Sequence, residues 1–192
     1  MMHENDETMK LGYPSETALL EDVEKRAFQF EKTYHGCAQC ALGALMECFP
    51  MLRDPNAFKA ATGLGGGVGL SIEGSCGGLT GGVMVLSLFF GRTLENLADH
   101  EGLRFQSYRM ANRLHEKFVA EYGTSLCRGI HQHVMGRAYR LNHPDEWDQF
   151  LEAGGHSDKC PTVVGRAARW TAELLIEEAE ASGRMFQFCE TS

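Results

Sequence analysis

Apolar side chains recur at three- and four-residue intervals along most of this chain, and glycine or proline interrupts them at helix-length distances. Between Ser15 and Thr33 the positions Leu20, Val23, Ala27 and Phe30 form one helical stripe. A second helix over Gly36–Phe49 stops at Pro50. Asp54-Pro55 reads as an N-cap with proline in the first turn, and Gly63 ends that helix. The run from Gly63 to Gly82 reads as a glycine-rich loop leading into an apolar helix that closes at Gly91. Thr93 is expected to cap a short helix, and a longer one spans Gly102 to Tyr122, ended by Gly123. Thr124 or Ser125 caps a helix to about Met135. In the polar region 136–159, His143-Pro144 opens a short helix around Trp147 and Phe150, before Gly154-Gly155. Pro161 starts the last long helix, with Val164, Ala167, Thr171 and Leu174 on one face.

Alternating strand patterns bounded by hairpin turns are absent. The expectation is an all-α fold, a compact bundle of six to eight helices with a glycine-rich loop. Residues 1–13 are expected as a flexible N-terminal tail, 14–183 as one helical domain and 184–192 as a C-terminal tail. At 192 residues the chain has the size of one domain and buries a full core without disulfide or metal staples.

Charge and hydropathy exclude several function classes. A net charge of −8 with no basic run longer than two residues argues against nucleic-acid binding. The most apolar stretch, Leu79 to Phe90, has 12 residues, short of the roughly 20 that cross a bilayer. The opening MMHENDETMK lacks the basic-then-apolar order of a signal peptide. A cytoplasmic location with reduced thiols is therefore expected.

Seven cysteines are then the notable feature: Cys37, Cys40, Cys48, Cys76, Cys127, Cys160 and Cys189. On the helix map, Cys37, Cys76, Cys127 and Cys160 all fall at helix N-termini. There, unpaired N–H groups and the positive end of the dipole favour thiolate, the form that attacks disulfides and binds metal. Arg128 and Lys159, next to Cys127 and Cys160, would add to the effect. The competing reading is four small core hydrophobes. Cys48 fits that reading on the stripe of Cys37, Ala41 and Ala44, and Cys189 lies in the tail.

Other motifs carry less. Cys37 and Cys40 form a C-x-x-C, but no strand precedes it as in thioredoxin-like folds, and Ala41 stands where covalent haem needs histidine. The glycine segment from Gly63 to Gly69 matches neither G-x-G-x-x-G nor a GK[ST] loop. It suits close backbone approach near Cys76, or tight helix crossing through Gly77, Gly78, Gly81 and Gly82. Gly74-Ser-Cys-Gly-Gly78 matches a G-x-C-x-G elbow without a good strand before it. His131 and His133 form an H-x-H that could join the C-x-x-C in a zinc site, or occupy an exposed helix end. His35 is the histidine expected nearest the thiols.

At these residues the chain resembles the redox-active family named for its C…GCAxxG…C…C pattern, from about residue 30 to 178. The resemblance rests on Gly36-Cys37-Ala38-Gln39, on Gly63-Leu-Gly-Gly-Gly with Cys76-Gly-Gly-Leu-Thr-Gly-Gly-Val-Met, on Gly123-Thr-Ser-Leu-Cys127-Arg128, and on Lys159-Cys160-Pro161. It implies that Cys37, Cys76, Cys127 and Cys160 are the family's four cysteines. It also implies a helical domain similar to one in split-Soret cytochromes, where an iron–sulfur cluster has been suggested beside the haems. Cys40, Ala41 and the insertion around 138–156 depart from the pattern.

Three expectations follow. In the first, the four cysteines converge as a redox site, either ligating an iron–sulfur cluster or zinc, or cycling between dithiol and disulfide, for example Cys37 with Cys76 and Cys127 with Cys160. An unidentified redox partner would then exchange electrons with it, with no covalent haem, nucleic acid or membrane involved. In the second, Cys76 is a hydrolase nucleophile with His35 or His133 as base, and the other thiols lie far from it. In the third, the chain is a non-catalytic assembly domain, a homodimer packed through its glycine-lined helices.

Overall fold

The computed structural model describes residues 9–189. Ser15 opens the first helix, α1 (Glu16–Tyr34), by accepting the Ala18 N–H at 3.2 Å. Two left-handed residues, His35 (φ 61°) and Gly36 (φ 88°), turn the chain at once into α2 (Cys37–Cys48). Asp54 caps α3 (Pro55–Ala60) by accepting the N–H groups of Asn56 at 2.8 Å and Ala57 at 3.1 Å. Then follow α4 (Gly77–Phe90), α5 (Leu103–Tyr122), α6 (Cys127–Met135) and α7 (Pro144–Glu152). A π-helical turn, Gly155–Lys159, runs directly into α8 (Cys160–Ala181).

Among the described residues there are eight α-helices and two three-residue strands, so the all-α expectation holds. None of the helices is long and apolar enough to cross a membrane.

The core is a helical sandwich of α1, α2, α4 and α8, with α5 against α4 and α8. Its α8 face is built from Val164, Ala167, Ala168, Thr171, Leu174 and Leu175, all buried. The small residues there set the distances. A methyl group on Gly81 would run into the carbonyl oxygen of Ala38 on α2, and one on Gly82 into the Thr171 hydroxyl on α8. Gly78 faces Ala167 and Val164. These glycines are occupied by helix crossings within the chain. Helix α4 accordingly begins at Gly77, inside the stretch expected as loop: packing on two neighbours outweighs the weak helix propensity of glycine, about 1 kcal/mol per residue.

Two further expectations change. Thr93 starts turns rather than a short helix. The buried Asp99 carboxylate caps α5 instead, accepting the N–H groups of Leu103 at 2.7 Å and Arg104 at 3.1 Å. The ends assigned as tails also contribute structure. β1 (Met9–Leu11) pairs in parallel with β2 (Phe186–Phe188), Met9 opposite Phe186 and Leu11 opposite Phe188. Leu11 and Phe186 are buried by this pairing, and Phe186 packs against Phe49 with ring centroids 5.5 Å apart. Residues 1–8 and 190–192 of those expected tails lie outside the described residues.

Candidate functional site

Each of the four cysteines sits where one helix begins. Cys37 is the first residue of α2, Cys76 the N-cap of α4, Cys127 the first residue of α6, and Cys160 the first residue of α8 after the π turn. Backbone bonds bring two of these starts together. The Cys76 N–H donates to the Ser125 carbonyl at 2.8 Å, and the Cys127 N–H to the Gly74 carbonyl at 2.9 Å. Ser75 and Leu126 form an antiparallel bridge between them. Cys76 and Cys127, 51 residues apart in sequence, are thus held side by side.

The glycine-rich segment closes the third side. Gly66, Gly67, Val68, Gly69 and Leu70 run consecutively in the left-handed region, and Ile72 joins them at φ 61°. For the β-branched Val68 and Ile72 this conformation is strained, by about 1–3 kcal/mol each. The curl brings bare backbone against the thiols. The Gly66 N–H reaches Cys37 Sγ at 3.5 Å, and a Cβ on Gly67 would stand 2.8 Å from Cys127 Cβ. Close approach and tight helix crossing, the two roles foreseen for the glycines, both occur, at different glycines.

Cys37, Cys76, Cys127 and Cys160 together line one cavity of about 170 Å³. Leu70, Ile130, Val163 and Val164 supply apolar wall. Leu141, Trp147 and Phe150, from the segment between α6 and α8, pack with Ile72 and Tyr139 in a separate small cluster and also line the cavity. Glu31, His35, His131 and His156 are its polar lining. Among the described residues, no three His, Cys, Asp or Glu side chains are drawn round one point tightly enough to hold a single metal ion. The thiols surround a volume instead.

The thiols are not activated in the way their helix-terminal positions suggest. Burial pushes Cys76 up to about 11, against the opposing pull of the Gly78 and Leu79 amides. Cys37 is pushed up to about 12 by burial and then by the Glu31 carboxylate and Cys76, while the Gly66 and Ala38 amides act the other way. Cys127 and Cys160 are raised further, again by burial first. Desolvation outweighs the helix dipole, which supplies at most about 2 kcal/mol. The expected cationic neighbours do not contribute. Arg128 pairs with Glu73, and Lys159 with Asp158 at 3.1 Å. Cys160 also follows a π turn, so its amide end is not free.

The remaining thiols lie elsewhere. Cys40 Sγ donates to the His35 carbonyl at 3.0 Å and faces a neighbouring cleft, so it does not pair with Cys37 as a C-x-x-C centre. Cys48 lies in the core beside Tyr13 and Asp22, as expected for a core cysteine. Cys189 is exposed. All seven are free thiols.

Of the histidines, His35 does line the cavity, and its ring stacks on His156 with centroids 3.9 Å apart. His131, expected at an exposed helix end, is only 2% exposed. Its Nε2 lies 3.7 Å from Cys127 Sγ, and burial lowers its pKa to about 4. His133 packs against Tyr122 in a different cleft and reaches neither the C-x-x-C nor Cys76, which removes both the mixed zinc site and its role as a hydrolase base. The hydrolase expectation also required Cys76 to stand alone after a strand. It stands among three other thiols, and turns precede it.

Glu31 and His156 are the polar cavity residues that sequence reasoning missed, and His131 is one that it assigned elsewhere. Glu31 carried a signal: it continues the stripe of Leu20, Val23 and Ala27 by one more step of four, and it is 1% exposed.

Neither a curated protein nor a solved structure matches this chain. A family description does, "Putative redox-active protein (C_GCAxxG_C_C)", over residues 35–174, the span that contains the four cysteines and the whole lining of the cavity but for Glu31. The chain belongs to the C_GCAxxG_C_C family of redox-active proteins.

Proposed function

We propose that this is an electron-transfer protein whose cavity holds an iron–sulfur cluster on Cys37, Cys76, Cys127 and Cys160. One observation carries the reading: four soft sulfur donors, from four separate helix starts, face one small buried volume. Four cysteine sulfurs are the donor set of iron–sulfur clusters as well as of structural zinc, and a redox-active family favours the cluster.

The donor chemistry fits as well. Four thiols held protonated, Cys76 and Cys127 buried and Cys37 and Cys160 half-buried, are poor nucleophiles, since thiolate is the reactive form. A metal group would take them as thiolates and release their protons, so deprotonation and binding are one event. When bound, the cluster supplies one-electron redox chemistry at a potential set by its charge, burial and hydrogen bonding. The chain's own residues govern those settings. The Gly66 N–H points at Cys37 Sγ, and the amides of Gly78 and Leu79 lie at Cys76. Leu70, Val163 and Val164 lower the local dielectric, while Trp147 and Phe150 exclude water from above.

A second reading keeps the redox role without metal. Cys37 Sγ rests against the backbone of Gly77, the neighbour of Cys76, which favours a Cys37–Cys76 dithiol that gives up two electrons and two protons to become a disulfide.

Anaerobic purification, visible absorption, and iron and acid-labile sulfide analysis separate the two. The cluster reading expects a coloured protein in which iron and sulfide occur together. A colourless, metal-free protein that still cycles between dithiol and disulfide overturns it in favour of the second.

A further inference from the structure

Glu31 is the one carboxylate among the residues lining the cavity, and neither lysine nor arginine lines it. The side chain comes from the end of α1, where the helix turns through His35 and Gly36 into the start of α2. It is 1% exposed, and its Oε2 has no hydrogen-bond partner. Its Oε1 lies 3.3 Å from His156 Nδ1, yet that nitrogen has no hydrogen bond either. The Cys40 thiol, which donates to the His35 carbonyl at 3.0 Å, is the other polar group near this carboxylate. A buried carboxylate oxygen without a partner costs several kcal/mol unless a cation meets it.

The other groups around it make the omission sharper. Glu31 is among the causes that raise Cys37, Cys76 and Cys160, so its charge faces the same sulfurs. Four thiolates and a carboxylate directed into one cavity of about 170 Å³ would repel one another strongly. Positive charge in the cavity relieves all five at once; the lining offers no lysine or arginine, only the imidazoles of His35, His131 and His156, and none of these hydrogen-bonds to Glu31 Oε2. A carboxylate oxygen is a hard donor of the kind iron accepts.

We propose that Glu31 is a ligand of the bound metal group, its Oε2 donating to iron alongside the cysteine sulfurs. This rests on the metal-binding reading above. It adds a fifth donor, from α1, to a site otherwise assembled at the starts of α2, α4, α6 and α8. His156 then holds the carboxylate from behind, and its ring is in turn held by His35 and by Phe150, 5.0 Å away edge to face.

The test reconstitutes metal-free wild type, Glu31→Gln and His156→Ala with ferrous iron and sulfide under argon. Iron content, visible and electron paramagnetic resonance spectra, and thermal unfolding of the metal-free forms are recorded. Metal-free Glu31→Gln should unfold at a temperature at least as high as wild type, because an amide replaces a buried carboxylate whose Oε2 has no partner. Its iron affinity should fall about tenfold or more, and its spectra should change. His156→Ala should change iron affinity and spectra less than Glu31→Gln does, because the carboxylate itself remains. Glu31→Gln with unchanged iron affinity and spectra overturns the proposal, as does His156→Ala reproducing the whole change. If the amide variant does not fold, Glu31→Asp carries the test: drawing the carboxylate back should weaken binding and shift the spectra, and unshifted spectra overturn the proposal. A wild type that takes up no iron sinks the electron-transfer reading and this ligand together. A wild type that loads normally beside an indifferent Glu31→Gln removes the ligand alone.

Discussion

The sulfur of Cys37 rests directly on the backbone of Gly77, so closely that a methyl group there would overlap it and stand 2.9 Å from the Ala38 amide nitrogen. The start of α2 and the start of α4 are therefore in contact through a thiol and a missing side chain. Gly77→Ala should cost about 1–3 kcal/mol by overpacking and displace Cys37 from the cavity. Gly81→Ala, which meets the Ala38 carbonyl and Ala41 but none of the thiols, should cost about as much stability and lose less metal. Thermal unfolding together with iron per chain distinguishes the two effects.

The thiols make the metal-free protein sensitive to alkali. Cys76 and Cys37 are raised to about 11 and about 12, above the ordinary thiol range near 8.5–9, so folding favours their protonated forms. The stability they contribute is fully present below about pH 8.5, and it falls as pH rises towards 11–12, where the unfolded chain ionises and the folded one does not. Denaturant midpoints of the metal-free protein should therefore drop steadily above pH 9. Replacing Cys37 and Cys76 by alanine should flatten that fall.

Phe150 closes the cavity: it is 1% exposed, stacks on His131 with centroids 5.3 Å apart, and meets Trp147 and His156. Phe150→Ala should cost about 3–5 kcal/mol and open the site from above. The loaded variant should bleach in air several times faster than wild type, measured as loss of visible absorption.

The strand pair at the chain ends is structural. Phe186 is buried against Phe49 and Phe89, and β2 aligns with β1 along three residues. Phe186→Ala should destabilise the fold by about 3 kcal/mol while leaving metal content per folded chain unchanged. Calorimetry and iron analysis check this.

Helix starts and stops were readable because local chemistry fixes them. Ser15 and Asp54 cap through their own oxygens, Pro144 and Pro161 fit a first turn, and Gly123 adopts the left-handed conformation that ends α5. The same local reading placed Cys37, Cys76 and Cys127 at helix starts. The electrostatics were not readable, because thiol ionisation there is decided by desolvation, which depends on what packs overhead. The placement of His131 and His156 was hidden for a related reason: both pack against aromatic residues of the short helix around Trp147 and Phe150, and where that helix docks depends on tertiary packing. The strands Met9–Leu11 and Phe186–Phe188 are too short to show an alternating pattern, and they pair only because the two ends of the chain meet.

The account depends on four thiols acting as one site. Iron and acid-labile sulfide per chain, determined in anaerobically prepared wild type and in Cys37→Ser, Cys76→Ser, Cys127→Ser, Cys160→Ser, Cys48→Ser and Cys189→Ser, test that most directly. The prediction is matched iron and sulfide in wild type, severe loss in each of the first four variants, and wild-type content in the last two. Wild-type protein without iron or sulfide, or content that survives in all four cavity variants, would contradict it.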